Sequence, residues 1–268
     1  MKRKILVAYK KSILSLYQQS RDQAVLDFIQ DKSNRERLNS AHLENMQSLE
    51  AVCSQLQAGG IEFDLAYRGD ICGPVQSKYS AIVVVGGDGT FLDVAHKNTS
   101  IPMLGINSCP STSVGYYMSS TASNFMEYLT SEVTYLQRIA VSKNDVMFPE
   151  LALNELLISH ENPAAMTKYK LEGKIEKNSG LLVSTPSGCG GWIVNAGGQN
   201  MPIDAKYFQY LARETLVREP RFGTRLTIEL LVRNGRVYID GEHISHPLGL
   251  RDSITLTLGS PLPVLGRK

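Results

Sequence analysis

Five consecutive residues, Gly86-Gly87-Asp88-Gly89-Thr90, carry the strongest chemical signal in the chain. Glycines leave the backbone open to a ligand, and a run of open backbone N–H groups suits phosphate. Asp88 is the odd member. A carboxylate among phosphate-binding amides repels the ligand unless it takes a proton or works through a metal ion. The plain alternative is an Asp-Gly turn, since those residues dominate turns in any protein. A hairpin would need a second alternating strand, and a helical pattern follows instead. By itself the loop says that phosphate is handled there.

The elements that must position this loop are legible on either side. Ile82–Val85 is an unbroken β-branched run, the pattern of a strand buried on both faces. Thr90 is placed to cap a helix carrying Phe91, Leu92, Val94 and Ala95. Ile5–Tyr9 reads as the first strand. A helical region runs from Leu14 to about Gln57, with the polar stretch Asp31–Asn39 as an expected break and Gly59-Gly60 as its stop. Glu62–Tyr67 and Met103–Asn107 read as strands, Ser108–Tyr117 as a loop and Ser123–Leu129 as a helix. Alternating strand and helix argues an α/β fold with a mostly parallel sheet, whose ligands sit beyond the strand carboxyl ends.

From about Val133 the texture changes to strands: Leu151–Ile158, Lys168–Ile175, Leu181–Ser184 and Ile254–Leu258. Leu226–Val232 and Val237–Ile239, joined by Asn234-Gly235, carry the signal of a hairpin with a primed turn. Tyr207–Glu214 reads as helical. The expected fold is therefore an N-terminal, mostly parallel α/β domain over residues 1–130, followed by a β-rich, sandwich-like domain over 131–268. The tail 260–268 is left free to return to the first domain.

Composition narrows the function classes. With 28 Lys and Arg against 26 Asp and Glu, a net charge of +2 gives no ground for a nucleic-acid or acidic-membrane partner. No segment reaches the length of a membrane span, and Met1–Lys4 runs directly into a strand, so no export signal is read and a cytoplasmic protein is expected. Cys53, Cys72, Cys109 and Cys189 have neither disulfide-framework density nor Cys-x-x-Cys spacing, which favours reduced thiols. The five histidines form no metal motif, and His243 and His246 read as surface residues of a hairpin.

Three further stretches are candidates for ligand contact. Asn154-Glu155 ends the apolar run Leu151-Ala152-Leu153. A buried polar pair needs its hydrogen bonds met, and such a pair could hold ribose hydroxyls or simply mark a strand turning into solvent. Asn178 to Trp192 delivers a strand into Ser184-Thr185-Pro186-Ser187-Gly188-Cys189-Gly190-Gly191-Trp192, with Asn195-Ala196-Gly197-Gly198 beyond. A Gly/Ser-rich turn of this kind brings backbone and hydroxyls close to a flat ring. Trp192, the one tryptophan, is more often a core or interface anchor than a stacking residue. Asp240-Gly241 after Val237-Tyr238-Ile239 reads as a structural turn.

Taken together, these motifs resemble the NAD kinase family over most of the chain from Ile82 to Gly241. Related lipid kinases typically carry Asn-Glu directly after the glycine loop, whereas Phe91-Leu92-Asp93 follows here. The chain departs from the common pattern in three places. Ser179 stands where an Asp is usual, Cys189-Gly190-Gly191-Trp192 replaces Ser-Thr-Ala-Tyr, and the loop after Asn107 is longer than the common form. With Val217-Arg218-Glu219-Pro220, these look closer to the mitochondrial-type NAD kinases and their bacterial relatives.

The resemblance implies transfer of the γ-phosphoryl of ATP, with Mg²⁺, to the 2′-hydroxyl of the adenosine ribose of NAD, making NADP. Asp88 would be the general base. Gly86, Gly87, Gly89 and Thr90 would meet phosphates, and Asn154 and Glu155 would hold the ribose. Leu92, Tyr116, Ser179, Ser187, Gly191 and Trp192 would line the dinucleotide pocket, so residues 131–268 become the dinucleotide-binding domain. It also implies a homodimer or homotetramer. An acidic residue at position 179 would favour the cationic nicotinamide of NAD, so Ser179→Asp is expected to raise affinity for NAD more than for NADH. A lipid or small-alcohol kinase, and a catalytically silent nucleotide-binding regulator, are the alternatives.

Overall fold

A computed structural model describes residues 4–216 and 218–267. Met1, Lys2, Arg3, Val217 and Lys268 lie outside the described residues, including the start read for an export signal and the first position of the Val217–Pro220 run. The chain divides into two compact units. One holds Met1–Thr134 with Pro263–Lys268, and the other holds Tyr135–Leu262.

The first unit is built on β1 (Lys4–Tyr9), α1 (Ile13–Tyr17), α2 (Gln23–Gln30), α3 (Lys32–Ala58), β2 (Glu62–Tyr67), β3 (Tyr79–Gly86), α4 (Asp88–His96), β4 (Met103–Asn107), β5 (Ser120–Thr121) and α5 (Phe125–Tyr128). Its strands run in the order β2-β1-β3-β4-β5, every pair parallel. The expected parallel α/β order is the observed one. Val83 and Val84 are fully buried in β3, as a strand covered on both faces requires. Val7, Val83, Val85, Leu104 and Ile106 meet Val52 and Leu56 of α3 in one core.

The helical region breaks twice, over Gln18–Asp22 and at Asp31. Asp31 caps α3 by accepting from the Asn34 N–H at 3.0 Å, and the polar stretch after it forms the first turns of α3. Its charged side chains face solvent, so the expected break over Asp31–Asn39 was a solvated helix face.

The second unit contains β6 (Val133–Lys143, from Tyr135 onward), β7 (Val146–Ala152), β8 (Glu155–His160), β9 (Thr167–Leu171), β10 (Lys174–Asn178), β11 (Leu181–Ser184), α6 (Trp192–Asn195), β12 (Phe208–Ala212), β13 (Arg221–Gly223), β14 (Arg225–Leu230), β15 (Gly235–Ile239), β16 (Ile244–Leu248) and β17 (Ser253–Leu265, to Leu262). One sheet runs β13-β12-β11-β8-β15-β16, antiparallel throughout. The other contains β10-β9-β14-β17, with β6 beside β17 and β7 beside β6. Ile139, Ile228, Ile254 and Leu256 from the latter share a core with Leu156, Ile158, Val183, Phe208 and Val237 from the former, giving the expected sandwich.

Three local expectations are corrected here. Leu226–Ile239 is not a hairpin, because β14 pairs β9 and β17 while β15 pairs β8 and β16. Ile228 and Val237 thus enter the core from opposite sheets, burying two apolar faces where a hairpin would have placed both in one sheet. A primed turn lies inside Lys168–Ile175 instead, where Glu172 (φ 50°) and Gly173 (φ 81°) join β9 to β10, so that stretch is the turn of a hairpin and not one strand. Tyr207–Glu214 contains strand β12, with Phe208 and Tyr210 alternating into the core; tertiary burial overrides its helical pattern. His246 does sit in a hairpin strand, stacked on Phe148 at 4.0 Å.

Candidate functional site

The glycine loop leaves the carboxyl end of β3 and becomes α4 without a spacer. Gly87 is the helix cap, with extended backbone and no capping side chain. Thr90 is therefore inside the helix, buried, and not the expected cap. Its side chain fills the space over Gly86, where a β-carbon would lie 2.5 Å from Thr90 Oγ1, so position 86 must be glycine.

Asp88 opens α4 and is fully engaged by backbone. Its Oδ2 accepts from the Tyr116 N–H at 2.9 Å and its Oδ1 from the Tyr117 N–H at 2.7 Å. Those amides belong to the loop after β4, which Asn107 shapes by donating to Ser113 O and accepting from the Cys109 N–H. Tyr117 stacks on Phe91 of α4 at 5.3 Å, while Tyr116 stays exposed with the Arg267 guanidinium 4.2 Å above its ring. Two strand-end loops thus fix one carboxylate. Each oxygen retains a lone pair for a further donor. Leu92, one turn into α4, is half-buried.

In the second unit, a bend at Leu153-Asn154 separates β7 from β8, so Leu151–Ile158 is two strands. Asp240 makes the bend. Its carboxylate accepts from the N–H groups of Leu153 (2.7 Å), Asn154 (2.7 Å) and Glu155 (2.9 Å). It does so from a left-handed backbone (φ 49°) at the end of β15. Burial pushes the Asp240 carboxyl up to about 7, against the three N–H donors that pull it down. Sequence reading took Asp240-Gly241 as a turn and missed this buttress.

The Ser/Gly loop folds onto the same bend. Thr185 Oγ1 and Ser187 Oγ donate to Leu153 O at 2.6 and 2.8 Å, and both residues are buried. Gly188 packs so closely that a β-carbon there would lie 2.0 Å from Asn154 O. Ser187 is thus placed as a loop fastener. Gly191 begins α6 beside Glu155, and Cys189 is buried against Met201 and Ala205.

Period-2 alternation puts Glu155, Leu157 and Ser159 on the outer face of β8, opposite Leu156 and Ile158. With Trp192, Tyr238 and Ser179 they line a pocket of about 490 Å³. Asn154 Nδ2 donates to Glu155 Oε2 at 2.8 Å, and burial raises the Glu155 carboxyl above its ordinary range despite that bond and the Trp192 N–H. Arg213 lies 4.7 Å over the Trp192 ring, and Ser179 Oγ donates to Glu214 Oε2. Glu155, Glu161, Glu214 and Glu242 outnumber Arg213 on the pocket wall. The arrangement suits a flat ring with hydroxyl donors and little tolerance for added negative charge.

The sequence-predicted residues therefore form two groups. Gly86, Gly87, Asp88, Gly89, Thr90, Leu92 and Tyr116 gather in the first unit. Asn154, Glu155, Ser179, Ser187, Gly191 and Trp192 gather in the second. Arg213 and Glu214 escaped sequence reading because the stretch that holds them, β12 and the turn after it, was read as a helix. Leu157 and Ser159 could have been found from the alternation that starts at Glu155.

Among the described residues no group of three His, Cys, Asp or Glu side chains is placed to hold a metal ion, and the cysteines are unpaired. No helix there is long and apolar enough to cross a membrane.

Comparisons with known proteins agree with this layout. The sequence profile described as ATP-NAD kinase N-terminal domain matches residues 4–134. A probable NADH kinase of Oryza sativa subsp. japonica is 30% identical over 285 positions, covering 90% of this chain and 83% of the relative. An NAD kinase of Neisseria gonorrhoeae is 27% identical over 206 positions, 69% of each chain. The fold is shared with an NAD kinase from Archaeoglobus fulgidus solved with ATP, at a TM-score of 0.64 and 22% identity, over 97% of this chain and 92% of that one. It is shared also with yeast NADH kinase solved with NADH, at a TM-score of 0.71 and 12% identity, over 100% and 84%.

Proposed function

This chain belongs to the NAD kinase family, and we propose that it transfers the γ-phosphoryl of ATP to the 2′-hydroxyl of the adenosine ribose of NAD. The observation that carries the reading is Asp88, a carboxylate oriented by the Tyr116 and Tyr117 amides at the start of α4.

In this reading Asp88 takes the 2′-hydroxyl proton as the new P–O bond forms and the bond to the β-phosphate oxygen breaks, releasing ADP. Gly87 and Gly89 leave the backbone open to phosphate, whereas Gly86 is covered by the Thr90 side chain, and Asn154 with Glu155 receives ribose hydroxyls. Glu155 is suited to this because its amide partner and the Trp192 N–H hold its carboxylate in one orientation. Trp192, 41% exposed with the Arg213 guanidinium over one face of its ring, stands beside that carboxylate. Magnesium fits only as an ion carried on the nucleotide's phosphates, where it would neutralise charge, since the described residues build no cage of their own. A homo-oligomer is part of the proposal and is read by light scattering.

One assay tests the reaction: purified protein with ATP, Mg²⁺ and NAD, scored for NADP. Parallel arms replace ATP by polyphosphate and NAD by NADH. NADP formed from ATP and NAD is the expected result; a donor-independent blank, or NADPH formed in preference to NADP, revises the substrate. Nucleotide binding without turnover would leave the silent regulator as the function.

A further inference from the structure

At the carboxyl end of β2 the chain turns through a short 3-10 segment, Arg68–Asp70. β2 and β3 flank β1 in one parallel sheet, so Arg68 and the glycine loop leave the same edge. Arg68 Nη1 pairs with Asp93 of α4 at 2.6 Å. Apart from the backbone of α4 and the residues next to Gly89, the same Nη1 is the nearest heavy atom, at 4.0 Å, to the space that a β-carbon would fill on Gly89. Lys97 Nζ donates to Arg68 O at 3.0 Å, which ties the arginine's backbone to the end of α4.

Asp93 occupies one nitrogen of a guanidinium that has five N–H donors in a planar fork. Nε and Nη2 meet no protein acceptor among the described residues, and the side chain is 31% exposed. A salt bridge at such a position is worth little as a stabiliser. It does hold the guanidinium beside an exposed glycine and leaves the remaining donors uncommitted, which suits a forked phosphate.

We infer that Arg68 is a catalytic residue that grips the transferred phosphoryl group of the donor, with Asp93 as its positioning residue; this rests on the phosphoryl-transfer reading above. As the bond from the γ-phosphorus to the bridging oxygen breaks, charge grows on the equatorial and leaving oxygens, and Arg68 holds that charge. It forms no bond and moves no proton, and the acceptor's proton goes to Asp88.

The test uses the full chain and the variants Arg68→Ala, Arg68→Lys and Asp93→Asn. Affinity for ATP with Mg²⁺ is measured by calorimetry without acceptor, NAD binding by Trp192 fluorescence, and turnover by NADP formation. Arg68→Ala is expected to lower turnover about 100-fold and to weaken ATP about tenfold, with NAD binding unchanged. Added guanidinium should restore part of the turnover. Arg68→Lys should fall in between, since it keeps the charge and loses the fork. Asp93→Asn should raise KM for ATP more than it lowers kcat. Normal ATP affinity and turnover in Arg68→Ala overturns the inference. So does an equal loss of ATP and NAD affinity that guanidinium fails to restore, which marks a structural clamp. If the unaltered protein forms no NADP, the reaction assignment falls, while selective loss of ATP affinity in Arg68→Ala still bears out the phosphate grip.

Discussion

Ser179 donates a hydrogen bond from Oγ to Glu214 Oε2 at 2.5 Å. The carboxylate missing at position 179 is supplied from the end of β12, by a residue held in left-handed backbone (φ 56°). Arg213, just before it, covers Trp192. A substitution in one strand and an acid in another therefore act on one spot.

That pairing reverses the expectation for Ser179→Asp. The new carboxylate would face Glu214 across the distance that the Ser179 hydroxyl now bridges, and the two like charges would repel. No gain in NAD affinity is now expected from it. Glu214→Gln, by contrast, should weaken NAD more than NADH if the cationic nicotinamide sits here. The Glu214 side chain is 68% exposed, so the effect is a few-fold at most. Equal changes for both redox forms, titrated by Trp192 fluorescence, would take Glu214 away from the nicotinamide.

Asp88→Asn should lower turnover about 10²–10⁴-fold, the usual contribution of a positioned base. It should also cost stability. An amide can accept through one atom only, so one of the Tyr116 and Tyr117 N–H groups loses its partner, at about 1–3 kcal/mol. Near-normal turnover at a lowered melting temperature would mean Asp88 is a loop fastener and not the base.

Asp240 gives the second unit a pH dependence whose sign follows from its raised folded value of about 7. An unfolded aspartate titrates near 3.9, so between about 4 and 7 the folded chain holds the extra proton. Its contribution is full below about pH 4 and is lost as pH rises through about 7. The half-buried Glu155 carboxyl, also raised by burial, acts in the same direction. Urea midpoints of the wild type should carry this decline, and Asp240→Asn, though less stable, should show a shallower one. Parallel profiles would disprove the assignment.

Gly188 and Gly190, two residues apart, should respond oppositely to alanine. A β-carbon at Gly188 would strike Asn154 O at 2.0 Å, whereas at Gly190 it would meet nothing within 4 Å. Gly188→Ala is expected to displace the Asn154-Glu155 bend, weakening NAD binding at least tenfold, a loss of about 1.4 kcal/mol. Gly190→Ala should bind as the wild type does. Tolerance of Gly188→Ala would show that the bend does not set the pocket.

Residues close in sequence were sufficient for the chemistry that depends on local pattern. The β-branched run before Gly86 announces a strand buried in a parallel sheet, and the helical pattern after Asp88 rules out a hairpin, because each is carried by periodicity over a few residues. The Asn-Glu pair was visible because polar residues after an apolar run are costly without partners. Partners across sheets were not legible. Asp240 lies 85 positions from Glu155 and looks like any Asp-Gly turn until the three amides beneath it are seen. Glu214 and Arg213 were hidden by a helical pattern that core burial of Phe208 and Tyr210 overrides. Arg68 carries no motif at all. Its meaning comes from parallel pairing, which brings the carboxyl ends of β2 and β3 to one edge of a sheet and sets a guanidinium beside Gly89. Sequence patterns determine which elements form, whereas the long-range contacts that decide which side chains meet depend on packing of distant segments, for which no local residue pattern is needed.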